Sequence, residues 1–324
     1  MHQSSAPDVS IILLTKNGRR YLQEVLQGIF GQQTRCTYEV ITIDSGSRDG
    51  TLDILGEWPV RLVTITPAEF NHGETRNLGA RLAKPSVKYL VYLTQDATPV
   101  AGWLDCLVSV LDDDSAVAGA FSRHIPRPDC NPALARQMTE EWQQSGTPNR
   151  VVKRIDDMED YLRNRSRYIY FSNTSSCIRR TVWQAMPFSR VDFAEDADWA
   201  SRVLLAGYSL VYEPQSAVLH SHNYHLIHQF MQNFDHAKGM SQILKGEGPG
   251  VGLPQVSALG RILVRDFTHI RQQDMRGLHK AFWMLHAPLW HCANLSGTMF
   301  GRNHYRLPAR LVSRLSYQVR IRDG

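Results

Sequence analysis

The chain has 324 residues, of which 43% are hydrophobic, 21% charged and 9% aromatic. That composition excludes a disordered chain and leaves room for one large core, or one core with a satellite. The formal net charge of +5 is uneven, because from Val256 onward 11 Lys and Arg face 3 Asp and Glu, so a mildly acidic body carries a basic tail.

The opening Met1–Asp8 stretch is polar, without a basic segment followed by an apolar run. The five cysteines, Cys36, Cys106, Cys130, Cys177 and Cys292, are scattered and form no CxxC pair. Both features lead to the expectation of a reducing, cytoplasmic setting. Val9–Thr15 (VSIILLT) is a short apolar run and reads as a buried strand, followed by helical spacing over 21–30. Tyr38–Asp44 (YEVITID) is a second strand, and Ser45–Gly50 (SGSRDG) a turn into a helix with Ser47 or Asp49 as N-cap. Strands at 60–65, 89–93 and 117–122 alternate with helices at 74–83 and 103–111. This alternation predicts an α/β chain with a doubly wound, largely parallel sheet. Residues 123–167 carry Pro126, Pro128, Pro132 and Pro148 and read as a long excursion, with a helix at 133–144. The chain returns to the sheet at 171–179, forms a helix at 196–206 ended by Gly207, and a strand at 208–213. From Tyr224 the pattern is helical, broken by GEGPGVGLP at 246–254 as a hinge or loop. The expected division is an α/β domain over 1–223 and a basic helical C-terminal region over 224–324.

Five motifs fall where a parallel sheet presents ligands, at the C-terminal ends of its strands. Thr15-Lys16-Asn17-Gly18 follows the first strand. Asp44 ends the second, where its carboxylate either accepts a hydrogen bond from a nucleoside or caps a tight turn. Phe70-Asn71-His72-Gly73-Glu74-Thr75-Arg76-Asn77 opens a helix whose N-terminus and Arg suit a diphosphate. In Thr94-Gln95-Asp96, Asp96 lies just past a buried strand, so its carboxylate either caps a turn or is relieved by a divalent metal. Asp112-Asp113-Asp114 follows a helix rather than a strand and reads as a solvated helix end. Glu195 and Asp196 open a helix whose dipole stabilises anions, and a carboxylate held there suits a general base on a sugar hydroxyl. His220 follows an apolar run, and 214–236 holds five of the thirteen histidines, which raises the odds of a ligand among them.

In this order and spacing the motifs resemble the family-2 glycosyltransferases of the GT-A fold, over roughly residues 9 to 224. The resemblance implies that Thr15, Asn17 and Asp44 contact the nucleoside, that Arg76 and Asn77 stand beside the donor, and that Thr94-Gln95-Asp96 aligns with an Asp-x-Asp metal motif. Thr94 replaces its first Asp, leaving Gln95 on the donor and Asp96 with the metal, Mg²⁺ or Mn²⁺, completed by His220. Glu195-Asp196 matches the family's Glu-Asp pair, whose Asp is the usual base. FNHGETRN with LTQDATP looks more specifically like bacterial rhamnosyltransferases that use dTDP-L-rhamnose and act in lipopolysaccharide O-antigen assembly.

The reaction expected is a single in-line displacement with inversion, from a nucleotide sugar to a glycan or lipid-linked glycan acceptor. Tyr170–Asn173 and the excursion are expected beside that acceptor, with Asn173 and His222 as contacts; Trp199 either stacks on a sugar or belongs to the core. In the tail, 281–300 holds no Lys, Arg, Asp or Glu, yet His286, Pro288, His291, Asn294, Ser296 and Gly297 argue against a membrane span. The readings kept for this region are a helix pair lying peripherally on the anionic inner face of the cell membrane, a cap on the catalytic domain, or a homodimer surface. No nucleic-acid motif is present, so nucleic acid is not expected as a partner. Two rivals remain: a donor with another nucleotide (UDP or GDP), and a non-catalytic sugar-nucleotide-binding subunit, which the missing first Asp favours and the intact Glu195-Asp196 pair opposes. A pyrophosphorylase would need a Gly-rich basic loop after the first strand, and Thr15-Lys16-Asn17-Gly18 lacks it.

Overall fold

A computed structural model describes residues 6–144, 149–244 and 256–319. The apolar runs of the first half become strands. Among the described residues these are β1 (Val9–Thr15), β2 (Tyr38–Asp44), β3 (Arg61–Thr64), β4 (Tyr89–Thr94), β5 (Thr98–Pro99), β6 (Val117–Ile125), β7 (Val151–Lys153), β8 (Ser175–Arg179) and β9 (Ser209–Leu219). They join one sheet in the order β3-β2-β1-β4-β8-β6-β9-β5, with β7 also on β9. β1 to β4 run parallel, and so do β6 and β9, while β8 lies antiparallel between β4 and β6. The sheet is thus mostly parallel in its body, as expected, with the strand returning from the excursion reversed and the short strands β5 and β7 antiparallel to β9.

Helices cover both faces. Leu22, Val25, Leu26 and Ile29 of helix Leu22–Phe30 pack with Leu104, Leu107 and Leu111 of helix Trp103–Asp113 against one face. Ala80 of helix His72–Leu82 and Trp199, Ala200 and Val203 of helix Glu195–Leu205 pack against the other. Full burial of one such large side chain contributes about 1.5–3 kcal/mol. β9 runs six residues beyond the expected 208–213, and the reason is local. Glu213 pairs with Ser122 and Ala217 with Arg123, so Pro214, Gln215 and Ser216 bulge out of the ladder where the missing proline N–H does no harm.

The register aligns the strand ends. Thr15 pairs with Asp44, Leu14 with Thr94, and Asp44 with Thr64. At the other half, Leu219 pairs with Ile125. The loops after β1, β2, β4 and β9 therefore leave from one rim.

The C-terminal region is helical: Leu226–Ile243, Val256–Gln272, Gly277–Arg302 and Ala309–Leu315. The hinge or loop expected at 246–254 lies outside the described residues. Helix Gly277–Arg302 approaches helix Leu226–Ile243 closely through Gly297 and Gly301. A Cβ at these positions would sit 2.4 Å from the Phe230 carbonyl oxygen and 2.2 Å from that of Phe234. Buried Asp266 joins three helices, accepting from Arg136 Nε at 2.6 Å and standing 2.6 Å from His291 Nε2. Among the described residues no helix is long and apolar enough to cross a membrane.

Candidate active site

A cleft of about 1450 Å³ runs along the aligned strand ends, and its lining includes Thr15, Asn17, Arg76, Gln95, Asp96, Asn173, Glu195, Asp196, His220 and His222. Asp96 and Asp196 thus line one space.

On one side of the cleft, helix Glu195–Leu205 begins after Ala194, whose φ of 62° is left-handed and strained for a residue with a Cβ. Glu195 is buried and paired with Arg76, Oε1 to Nη1 at 2.7 Å, with each side chain 7% exposed. Asn173 Nδ2 donates to the same oxygen at 3.2 Å. Burial disfavours the Glu195 anion, but the Arg76 guanidinium holds its pKa below the ordinary carboxylate range. Asp196 accepts from the backbone N–H of Ala197 at 2.8 Å and of Asn173 at 3.3 Å. Burial, and next the negative charge of Glu195, push Asp196 up to about 7. Two adjacent carboxylates thus take different charge states near neutral pH, the arrangement that separates a fixed anion from a proton acceptor.

On the other side, Asp96 meets two histidines from the segment after β9. His220 Nε2 lies 3.6 Å from Asp96 Oδ1, and His222 Nε2 lies 3.5 Å from Oδ2. One ligand atom from each of the three residues lies within 4.8 Å of the others. These separations exceed normal hydrogen bonds. Burial pushes His220 down to about 3 and lowers His222 as well, so both imidazoles stay neutral with a lone pair to give. A carboxylate and two neutral imidazoles at this spacing fit a divalent transition metal. His222, expected beside the acceptor, belongs to this group instead. In extended chain, residues two apart face the same side, so His220-x-His222 carries both rings to Asp96.

The turn bearing Asp96 is clamped by a residue that the sequence did not single out. Arg127, buried, donates to the Asp96 carbonyl at 2.9 Å and to Thr98 Oγ1 at 2.8 Å. It also pairs with Glu24 at 3.0 Å and lies over the Tyr21 ring, 4.0 Å from its centroid. Gln95 does a related task. Its amide accepts from Lys16 N at 2.8 Å and donates to Lys16 O at 2.9 Å, fastening the β4 loop to the β1 loop. Gly18 permits this, since a Cβ there would fall 2.3 Å from Gln95 Oε1.

Three expected site residues stand elsewhere. Asp44 is buried and its carboxylate accepts from Thr15 Oγ1 at 2.9 Å, Gly46 N at 3.0 Å, Ser47 N at 2.8 Å and Ser47 Oγ. It caps the Ser45–Gly50 turn, the second of the two readings open from sequence. Asn77 is buried, donating to the Phe188 carbonyl and accepting from Trp183 Nε1, behind the cleft wall. Trp199 is fully buried and donates to the Met186 carbonyl, so it belongs to the core. Thr15, Asn17, Arg76, Gln95 and Asn173 remain on the cleft lining. Asn17 (φ 49°) accepts from Arg48 N at 2.9 Å and so braces the β2 loop.

The far wall of the cleft comes from the C-terminal helices, through Gln232, His236, Thr298, Arg302, Tyr305 and Tyr317 among others. Buried Asp235 anchors the last of these, accepting from Tyr317 N at 2.8 Å and Gln318 N at 3.0 Å. A ladder of rings then connects this segment to the histidine cluster. Tyr317 lies tilted on His228 at 3.9 Å between ring centroids, His228 tilted on Tyr224 at 4.0 Å, and Tyr224 stacks on His222 at 4.7 Å.

Residues 10–156 match Glycosyl transferase family 2. The chain is 31% identical over 233 residues to the O-antigen chain rhamnosyltransferase WbaN of Salmonella anatum, covering 71% of each chain. It is 29% identical over 233 residues to the O-antigen chain rhamnosyltransferase RfbN of Salmonella typhimurium, covering 70% of each. Among solved structures, the mannosyltransferase PcManGT from Pyrobaculum calidifontis, in complex with GDP-Man and Mn²⁺, superposes with a TM-score of 0.53, 18% identity, 98% of this chain and 86% of that one. That likeness identifies the shared GT-A fold. On the match of residues 10–156 and the 31% identity to the Salmonella anatum relative over 71% of each chain, the chain belongs to glycosyltransferase family 2 and is a hexosyl-transferring enzyme.

Proposed function

We propose that this enzyme transfers L-rhamnose from dTDP-L-rhamnose, with inversion, onto a lipid-linked precursor of a surface polysaccharide. The two Salmonella relatives support the sugar and the acceptor class, since both are named O-antigen chain rhamnosyltransferases. The observation that carries the chemistry is the pairing, across one cleft, of a carboxylate raised to about 7 with a separate three-residue cation site.

In this reading Asp196 is the general base. The acceptor hydroxyl oxygen attacks the anomeric carbon, its proton passes to the Asp196 carboxylate, and the bond from that carbon to the diphosphate oxygen breaks. Nucleoside diphosphate leaves. Glu195 stays ionised on Arg76 and keeps the Asp196 pKa high, while Asn173 and Ala197 orient the accepting oxygens. Asp96, His220 and His222 would hold a divalent cation, and the nitrogen-rich donor set favours Mn²⁺ over Mg²⁺, which prefers oxygen ligands. Such a cation, when bound, supplies positive charge against the leaving diphosphate. Thr15 and Asn17 face the nucleoside. Residues 1–223 are read as the catalytic domain, and 224–324 as the acceptor wall and the part that meets the anionic inner face of the cell membrane from the cytoplasm.

Transfer from dTDP-L-rhamnose, followed by release of nucleoside diphosphate in the presence of Mn²⁺, tests this reading. Asp196→Asn is expected to lower kcat by about 10²–10⁴-fold while donor affinity stays unchanged. Wild-type turnover in that variant refutes the base; turnover only with a UDP- or GDP-sugar refutes the donor.

A further inference from the structure

Helix Gly277–Arg302 carries large apolar side chains that face solvent: Leu278 is 87% exposed, Phe282 54%, Leu285 75% and Leu289 55%. Their spacing of four, three and four residues places them in one stripe along the helix. The opposite side is spoken for, since Ala287, Trp290, His291, Ala293, Gly297 and Gly301 are buried. A run of exposed leucines and a phenylalanine marks a contact surface rather than scattered surface residues.

Charge decides among the contacts. Arg261, Arg271 and Arg276, on the preceding helix and the connection, are exposed, as is Arg265, which pairs with Glu140 at 3.7 Å. Across 256–302 the acidic residues are Asp266 and Asp274, and Asp266 is buried. An apolar stripe in a field of arginines repels a second copy of itself but complements an anionic bilayer surface, where the side chains enter the headgroup and acyl boundary.

We infer that this stripe is the face that docks on an anionic leaflet, and that docking sets the cleft beside the bilayer. Farther along the same helix, Leu295, Thr298, Met299 and Arg302 line the cleft. One continuous helix therefore carries both the docking stripe and a wall of the site, so an acceptor held in the leaflet meets the cleft without leaving the surface. The lipid-linked acceptor comes from the proposed function; the docking face stands on exposure and charge alone.

Flotation of the full chain with vesicles of phosphatidylglycerol and phosphatidylcholine, or of phosphatidylcholine alone, tests it. The wild type is expected to float with the anionic vesicles, less at high salt, and not with phosphatidylcholine alone. Changing Leu278, Phe282, Leu285 and Leu289 together to Ser should cut binding roughly tenfold or more. Leu278→Ser alone, at the most exposed position, gives a smaller loss with no demand on the core, and thermal unfolding confirms the fold of both. Transfer to a water-soluble acceptor should be unchanged, which separates loss of docking from failure of the catalytic reading. Equal flotation of the stripe variant overturns the inference. So does a wild-type dimer, seen by sedimentation, that the stripe variant converts to monomer, because the stripe would then cover a second copy.

Discussion

The two halves of the cleft differ in how complete they are. On the Asp196 side the Glu195 charge already has its answer: Arg76 neutralises it at 2.7 Å, and Asn173 serves both carboxylates. On the Asp96 side two imidazoles stand 3.5–3.6 Å from the Asp96 carboxylate, too far for good hydrogen bonds. One half is assembled by the chain's own pairs; the other, in the proposed function, is completed by a cation. The difference teaches how to take them apart, because damage to the first should register in stability and proton transfer, and damage to the second in cation and donor affinity.

The largest expected effect on the assembled half comes from breaking its pair. Arg76→Ala leaves Glu195 buried and uncompensated, a loss on the order of 3–5 kcal/mol, read by denaturant unfolding. A loss below 1 kcal/mol would mean that water reaches the pair and that this half is not closed. On the open half, Arg127→Ala should unfix the Asp96 turn and weaken Mn²⁺ binding by about 10–100-fold in calorimetry, the range for a group that supports a ligand. Unchanged Mn²⁺ affinity would remove Arg127 from that role.

A smaller and more diagnostic effect lies in the pH profile. Asp196 must be ionised to accept a proton, so kcat/KM is expected to fall as pH drops through about 7. Glu195→Gln removes the negative charge that helps to raise Asp196, which should move this limb to lower pH. A limb that stays in place would assign the titration to another group. The smallest effect is expected at Tyr317→Ala, which ends the ring ladder from Tyr317 to His222: Mn²⁺ affinity should drop a few-fold, about 1 kcal/mol for an aromatic pair, with the fold intact.

The rim of the sheet was legible in the sequence because each apolar run stops where a motif begins, and parallel register brings those stops level. The base side was legible for the same reason, with two acidic residues opening a helix. What escaped was long-range. Arg127 sits in a polar excursion with no periodic pattern, and its value comes from Glu24, Asp96 and Thr98, far away in the chain. The far wall depends on Gly297 and Gly301 letting two helices close, which no local pattern encodes. Trp199 was readable in principle: with Ala200 and Val203 it lies on the buried face of its helix. His222 was readable too, from its two-residue spacing to His220.

The most direct test of the division of labour is nucleoside diphosphate binding, titrated with and without Mn²⁺, in Asp96→Ala and Asp196→Asn side by side. Asp96→Ala is expected to lose the Mn²⁺-dependent part of the affinity, and Asp196→Asn to keep it in full. Equal loss in both variants, or none in either, would contradict a cleft built from one finished half and one half completed by a cation.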